Sequence, residues 1–362
     1  MTTVIEVALP ERGYPVVVGR GVLASFLDAV ALPEGTSRAL VVTQEPIVAA
    51  GHVGPVEAAL SAAGLEVHRE VVPDGETAKD LPVLAALWSA AARIPLARAD
   101  VVVAVGGGVV GDLAGFLAAT YARGIAVVQV PTSLLAQVDA AIGGKTGINL
   151  AEGKNLVGAF HQPLAVVCDV EVLDSLPERA FTEGLGEVVK YGLIADPEIL
   201  GLIEAVDGKV RSDAALVEEL VRRSVAVKAR VVGADEREGG LRAILNFGHT
   251  YGHAVEKLAG YGSFLHGEAV AIGMLYALAL GERLGMTPEG LGAHIAELLG
   301  RVGLPIEGPV LDPDEVLSVM GRDKKATGDG VRFVLLEDVG SPTVVTPDAG
   351  LVRELVAEFA AR

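Results

Sequence analysis

VVVAVGGGVVGD, residues 101–112, sets the fold of the N-terminal half. Five apolar residues in unbroken succession fit a strand covered on both faces, as in a parallel sheet; a half-exposed strand would alternate. Gly106, Gly108 and Gly111 then form G-x-G-x-x-G directly after that strand, where a helical pattern opens. Glycine lets the backbone come close to a phosphate, and a helix N-terminus offers free N–H groups and a favourable dipole. A tight strand–helix turn without a ligand is the competing reading. Two features depart from a standard dinucleotide fold. No acidic residue follows about 20 positions on, where a ribose would be held; the next strand ends instead in Gln129-Val130-Pro131-Thr132-Ser133. The motif also follows the fourth or fifth strand rather than the first.

Outward from this stretch, short β-rich runs alternate with Ala-rich helical segments. The expected strands are Val4–Leu9, Ala39–Thr43, Glu66–Val71, Asp100–Val105, Ala126–Val130 and Ala165–Cys168, with helices such as Pro82–Ala92 and Asp112–Ala119 between them. Such alternation means a doubly wound α/β domain. Beyond residue 177 amphipathic segments dominate: Phe181–Ile194, Ala214–Val232, His249–Ala259, Gly267–Leu284, Leu291–Val302 and Ala349–Ala361, interrupted by one β-like run, Val331–Glu337. The expected domains are therefore 1–176, α/β, and 177–362, mostly α-helical. A cleft between two such domains is a common ligand site.

Length agrees with two domains, since single cores seldom grow past a few hundred residues; the chain has 362. Half of it is apolar, yet no uncharged stretch reaches the roughly 18–20 residues of a membrane span. The start, MTTVIEVALPERGYPVVVG, lacks a basic residue run followed by an apolar block, so a cytoplasmic, unexported protein is expected. Cys168 is the sole cysteine, which rules out an internal disulfide and a thiolate metal cage. The net charge of −18 excludes a nucleic-acid binder, which needs a basic face. It does not exclude a small anionic substrate, which responds to local charge.

Three of the seven histidines fall within Asn246–Glu268, in NFGHTYGHAVE and LHGE. His249 and His253 are four apart and so share one helix face. Two imidazoles, a carboxylate and an open position make a catalytic zinc shell. Spacing does not choose two ligands among His249, His253 and His266. The carboxylate candidate lies in FTEGLGEVVKYGLI, where Glu183, Glu187 and Lys190 share a helix. Glu187 and Lys190, three apart, taken in isolation read first as a surface ion pair; apolar flanks argue for burial. Around the Gly143-Gly144 turn stand Asp139, Lys145, Lys154 and Asn155, with Arg123 before and Lys228, Arg242 and Lys324-Lys325 after. Lysine and arginine on glycine loops suit phosphate and carboxylate.

Four blocks carry a resemblance: GGGVVGDLAGFLAATYARGIAVVQVPTSLLAQVDAAIGGKTGINLAEGKNLVGAFHQP, EGLGEVVKYG, LNFGHTYGHAVE and LHGEAVAIGM. In that order, from about residue 70 to 330, the chain resembles the 3-dehydroquinate synthase family of sugar-phosphate cyclases. The resemblance implies a Rossmann-like N-terminal domain, a helical C-terminal domain, a homodimer, bound NAD and a divalent metal, zinc or cobalt. It implies Glu187, His249 and His266 as metal ligands, which leaves His253 to support a ligand from behind or to contact substrate. Asp74, Gly75, Glu76 and Lys79, Gly108, Val109, Val110, Gly111 and Asp112, Thr132, Ser133 and Ser175 resemble NAD contacts, with Lys145 and Lys154 beside cofactor and substrate. Asp139, Lys145, Asn155, Lys190, Lys228, Arg242 and Asn246 resemble substrate contacts, and Arg123 the phosphate-binding arginine lent across the dimer. One of Lys324 and Lys325 joins them. Gln44 stands where family members often carry Asp or Asn for the nucleotide.

The implied substrate is 3-deoxy-D-arabino-heptulosonate 7-phosphate, a phosphorylated sugar acid whose two anionic ends suit the basic set. The implied course is transient oxidation by NAD at a metal-chelated carbinol, phosphate elimination, return of the hydride, ring opening and an intramolecular aldol. No net oxidation results. Other cyclases, of the aminodehydroquinate, deoxy-inosose or valiolone type, use similar sites. Metal-dependent polyol or glycerol-phosphate dehydrogenases share the glycine loop and metal helix, but VDAAIGGKTGIN favours a cyclase. A cofactor-binding module without turnover would leave the basic set unexplained.

Overall fold

The computed structural model describes residues 2–10, 12–260, 262–322 and 330–361, without the Arg322 side chain. Lys324 and Lys325 lie outside the described residues. The chain divides into two compact units: residues 1–177 with 224–236, and residues 178–223 with 237–362.

The first unit is built on seven strands: β1 (Thr3–Val7), β2 (Tyr14–Gly19), β3 (Arg38–Gln44), β4 (Glu66–Val72), β5 (Val101–Gly106), β6 (Ala126–Pro131) and β9 (Ala165–Asp169). Their spatial order is β1-β2-β9-β6-β5-β3-β4. Every neighbouring pair is parallel except β1–β2, whose short connection allows only an antiparallel hairpin. All six residues of β5 are buried, as its unbroken apolar run requires. Helices α1 (Glu45–Ala49), α2 (Val53–Ala62), α3 (Leu81–Arg93) and α4 (Gly108–Thr120) alternate with these strands. From β3 the chain goes outward to β4, then returns to β5 on the far side of β3 and continues to β6. That reversal is a topological switch point, and ligands of open α/β sheets bind beyond the strand C-termini there. Those ends are Gln44 and Gly106.

Between β6 and β9 lies a feature the sequence reading took for glycine loops: a hairpin of β7 (Lys145–Leu150) and β8 (Gly153–Phe160). The Gly143-Gly144 turn precedes it, both glycines at positive φ, whereas Gly147 and Gly158 within it mark strand contact. A β-carbon on Gly158 would stand 2.0 Å from the Thr146 carbonyl oxygen, so the two strands meet more closely than side chains allow. Ile148 and Ala159 place the hairpin on the same core as α4.

The second unit contains α5 (Glu178–Ile194), α6 (Glu198–Ala205), the first half of α7 (Ala214–Ala234), α8 (His249–Leu258), α9 (His266–Arg283), α10 (Leu291–Arg301), α11 (Pro313–Arg322) and α12 (Ala349–Ala360). Among its described residues, a hairpin joins β10 (Phe333–Asp338) to β11 (Ser341–Val345). The helix α9 is buried along nearly its whole length, as its all-round apolar sequence dictates, and packs against α5, α8, α10 and α12. Residues Ser224–Ala234 of α7 belong to the first unit. No helix among the described residues is long and apolar enough to cross a membrane.

Candidate active site

In the second unit three ligand atoms converge, from Glu187 on α5, His249 on α8 and His266 on α9, all within 4.8 Å of one another. His249 Nε2 and His266 Nε2 each stand 3.7 Å from Glu187 Oε1. Two ligands of a tetrahedral zinc ion, each about 2.0–2.2 Å from it, lie about 3.4 Å apart, close to this spacing. Both Glu187 oxygens are buried; the Lys190 ammonium pairs with Oε2, and Oε1 has no hydrogen-bond donor. A bare carboxylate oxygen at such a depth is costly unless a cation takes it.

The outer nitrogens of both imidazoles are directed as ligand histidines need. His249 Nδ1 lies 3.1 Å from the Phe247 carbonyl oxygen, and His266 Nδ1 lies 3.4 Å from Glu256 Oε2. An Nδ1–H donated to these acceptors leaves the Nε2 lone pairs facing Glu187. Burial, and then the charges of Lys190, His266 and His253, hold His249 well below the usual imidazole value, so it is neutral near pH 7 and able to ligate. His253 is a ring neighbour of His249, with centroids 5.2 Å apart, but stands outside the three-residue cluster.

Backbone proximity makes the convergence possible. Gly252 of α8 faces the Ala269 carbonyl oxygen, and Gly273 of α9 would place a β-carbon 1.9 Å from the Gly248 carbonyl oxygen. The N-terminus of α9, where His266 sits, is held by Glu268. Its Oε2 accepts from Leu265 N at 2.8 Å, and Arg179 grips both oxygens, Nε to Oε1 at 2.7 Å and a terminal nitrogen to Oε2 at 2.8 Å. Burial opposes ionisation there, but these donors hold the Glu268 carboxyl below its usual range. The glutamate three places into the helix was the available sequence signal for this clamp. Arg242 and Asn246 lie on a short 3-10 turn, Leu241–Asn246, with Arg242 buried.

In the first unit the glycine turn joins β5 to α4. A β-carbon on Gly111 would lie 2.8 Å from Gln129 Oε1, and one on Gly106 2.5 Å from Val110 Cγ2. The first turn of α4, Gly108 to Asp112, thus packs tightly on the sheet, and its N-terminus has no side-chain cap. Thr132 follows β6 and donates its N–H to the Gly106 carbonyl oxygen at 2.9 Å; Ser133 comes next. The Asp74–Lys79 segment begins with Gly75 at φ +75°, a left-handed position suited to glycine. Lys79, 4% exposed, reaches Asp112 Oδ2 at 2.6 Å and Asn155 Oδ1 at 2.5 Å. Burial pushes Asp112 up from the usual carboxylate value, against the pull of Lys79.

Gln44 spends its amide on the Pro73 carbonyl oxygen at 2.8 Å, bridging the ends of β3 and β4. Ser175 donates to the Val172 carbonyl oxygen and meets His52 Nε2 at 2.7 Å. Asp139, on the π-helical turn Ala136–Ala140, pairs with the buried Lys228 of α7. Lys145 is exposed at the start of β7, and Lys154 is half-buried on β8. Arg123 is exposed on a turn where Ala122 (φ 49°), Arg123 (φ 69°) and Gly124 (φ 115°) are all left-handed. Such strain in non-glycine residues concentrates at functional positions. Sequence reasoning missed Asn149, Glu256, Arg179 and Glu268, whose roles depend on partners distant in the chain.

Comparison with known proteins completes the description. Residues 69–183 match the family described as 3-dehydroquinate synthase N-terminal, and residues 184–326 match 3-dehydroquinate synthase C-terminal. The 3-dehydroquinate synthase of Symbiobacterium thermophilum is 50% identical over 345 residues, covering 94% of this chain and 95% of the relative. That of Geobacter metallireducens is 46% identical over 342 residues, with the same coverage of 94% and 95%. Among solved structures, 2-deoxy-scyllo-inosose synthase complexed with carbaglucose-6-phosphate, NAD+ and Co2+ superposes with a TM-score of 0.87 at 28% identity, covering 99% of this chain and 100% of the other. The 2-epi-5-epi-valiolone synthase of Streptomyces hygroscopicus, with NAD+ and Zn2+ bound, gives 0.87 at 28% identity over 98% of each chain. A glycerol dehydrogenase from Schizosaccharomyces pombe, at 17% identity and a TM-score of 0.69, covering 95% of this chain and 88% of that one, shares the fold.

Proposed function

This chain belongs to the 3-dehydroquinate synthase family, and from that premise we propose which of its groups carry the reaction. The enzyme is a phosphate-eliminating lyase that converts 3-deoxy-D-arabino-heptulosonate 7-phosphate to 3-dehydroquinate and phosphate, with transient reduction of NAD. Glu187, His249 and His266 hold its divalent cation, zinc or cobalt. The observation that carries this assignment is the meeting of three ligand atoms at a buried carboxylate whose Oε1 faces both imidazoles while Lys190 pairs with Oε2. When bound, the cation supplies polarisation of adjacent substrate hydroxyls, and NAD supplies a reversible hydride acceptor.

The first unit supplies the NAD contacts: Asp74, Gly75, Glu76 and Lys79, Gly108 to Asp112, Thr132, Ser133, Lys145, Lys154 and Ser175. The uncapped N-terminus of α4 and the left-handed Gly75 support this assignment. Its proposed substrate contacts are Asp139, Lys145, Asn155 and Lys228; those of the second unit are Lys190, Arg242, Asn246 and His253. Lys190 is held in place by its ion pair with Glu187, so its ammonium is preorganised for substrate oxygen rather than recruited at the moment of reaction. Asp139 does the same for Lys228. The buried Arg242 offers a planar fork to carboxylate or phosphate. Much of the proton transfer falls to the substrate's own phosphate.

A homodimer in the cytoplasm completes the proposal, with Arg123 lent to the partner's substrate phosphate. The strained turn that presents its exposed side chain supports that role. The test is incubation with the heptulosonate phosphate, with and without a chelator, scoring phosphate, carbocycle and NADH. Phosphate and 3-dehydroquinate appearing together, without net NADH and only with metal, is the expected result. Net NADH in step with product would indicate a dehydrogenase, and a different carbocycle another cyclase.

A further inference from the structure

The hairpin β7–β8 contains an irregularity that the assigned contacts leave unused. Register passes from Ile148 opposite Val157 to Leu150 opposite Gly153, so Asn149 sits at a shift in the ladder. Its backbone N–H leaves the hairpin and donates to the Lys79 carbonyl oxygen at 2.8 Å. Its carboxamide works at both ends. Nδ2 donates to Glu76 Oε1 at 2.7 Å, and Oδ1 accepts from Asn155 N at 2.9 Å.

Asn155 has φ +55°, a left-handed conformation that asparagine tolerates better than most residues with a side chain. The bond from Asn149 supports that conformation, and the Asn155 carboxamide then accepts from Lys79 Nζ, which also pairs with Asp112. One residue thereby ties the Glu76–Lys79 segment, the first turn of α4 and the strand carrying Lys154 and Asn155. Bulges are a common device for aiming side chains beside sites.

We propose that Asn149 is a positioning residue for the dinucleotide: it orients Glu76 directly and Lys79 through Asn155, so that NAD meets a preformed set of groups. The inference rests on the NAD reading of the first unit and adds to it a residue outside the proposed cofactor and substrate contacts.

The test is calorimetric titration of the metal-loaded enzyme with NAD, for wild type, Asn149→Ala, Asn149→Asp, Glu76→Gln and the double variant Asn149→Asp/Glu76→Gln. Asn149→Asp keeps the acceptor for Asn155 N but sets a carboxylate against Glu76. Loss of a hydrogen bond to a charged group corresponds to about tenfold or more, so both Asn149 variants weaken NAD binding by that factor. In the double variant the carboxamide introduced at position 76 donates to the carboxylate introduced at position 149. Binding then recovers to within about threefold of Glu76→Gln alone. Metal content stays at the wild-type value throughout. A merely structural role would lower Tm and leave the NAD Kd of the folded protein unchanged. An Asn149→Ala Kd within about twofold of wild type overturns the proposal, as do losses that simply multiply in the double variant. Should Asn149→Ala fail to fold, the near-isosteric Asn149→Asp variants decide by the same criteria. A wild type that binds no NAD refutes the cofactor reading and this inference together, whereas normal wild-type binding with an indifferent Asn149 refutes the inference alone.

Discussion

Gly186 on α5 and Gly267 on α9 meet backbone to backbone: a β-carbon on Gly186 would lie 2.5 Å from the Gly267 carbonyl oxygen, and one on Gly267 1.9 Å from that of Glu183. Each glycine adjoins a proposed ligand, Glu187 in one helix and His266 in the other. Main-chain atoms cannot rotate away, so a methyl group here must push the helices apart. Gly267→Ala is expected to cost about 1–3 kcal/mol, as overpacking does, and to release metal more readily than it unfolds the protein. Tm and metal content after dialysis check both; a variant equal to wild type in both would remove the close approach from the description of the site.

The ligand assignment separates His253 from its neighbours. Glu187→Ala, His249→Ala and His266→Ala should each lose bound metal and most phosphate release, by more than the roughly 10–100-fold typical of losing an outer hydrogen-bond partner. His253→Ala should keep the metal while turnover falls. Elemental analysis beside a phosphate assay distinguishes the two patterns. Glu187→Ala carries a second consequence, because the Lys190 ammonium, 1% exposed, is left buried without its anion. The metal-free variant should then be less stable than metal-free wild type by about 3–5 kcal/mol.

The clamp on α9 gives a graded version of the same test. Glu268→Ala removes the acceptor of Leu265 N and the partner of Arg179. Loss of such a cap costs about 1 kcal/mol, and the loosened His266 should weaken metal affinity about 10–100-fold. Competition with a chromophoric chelator measures this without reference to turnover. Unchanged affinity would confine Glu268 to helix stability.

Acid stability should report on Asp100, which is fully buried at the start of β5. Its Oδ1 accepts from Ser37 N at 2.9 Å and Arg38 N at 2.8 Å, and its Oδ2 from Ala97 N at 2.7 Å. Burial alone would raise its pKa, but these donors outweigh it and hold the carboxyl below the usual value. A depressed folded pKa stabilises above the unfolded value, about 3.9, and that stability is lost as pH falls from there through the folded value. Asp100→Asn should therefore cost about 2–3 kcal/mol at neutral pH and less as pH falls through the folded value. Urea midpoints across that window check the sign, and a pH-independent difference would contradict it.

Much of this was legible in the chain itself. Continuous apolar strands mean burial on both faces wherever they occur, so VVVAV and its fellows gave a parallel sheet, and G-x-G-x-x-G located its ligand end. Periodicity likewise gave the helical character of the second half. The hairpin β7–β8 escaped because Gly147 and Gly158 interrupt the alternation that marks strands, though they are glycines for reasons of strand contact. Gln44 looked like a missing nucleotide ligand, and its amide proves to be occupied by Pro73.

The sequence by itself determined which chemical groups exist and which local element bears each: a glutamate on one helix, imidazoles on two others, glycines after a strand. Spacing along one helix fixes only which side chains share its face, so it left His249, His253 and His266 equivalent. Tertiary structure brings His249 and His266 to Glu187 and leaves His253 outside that cluster, because the packing of α5, α8 and α9 through glycine contacts sets distances between residues about 60–80 positions apart. A local code carries no information about distances of that kind; they arise only when buried helices choose their closest approach.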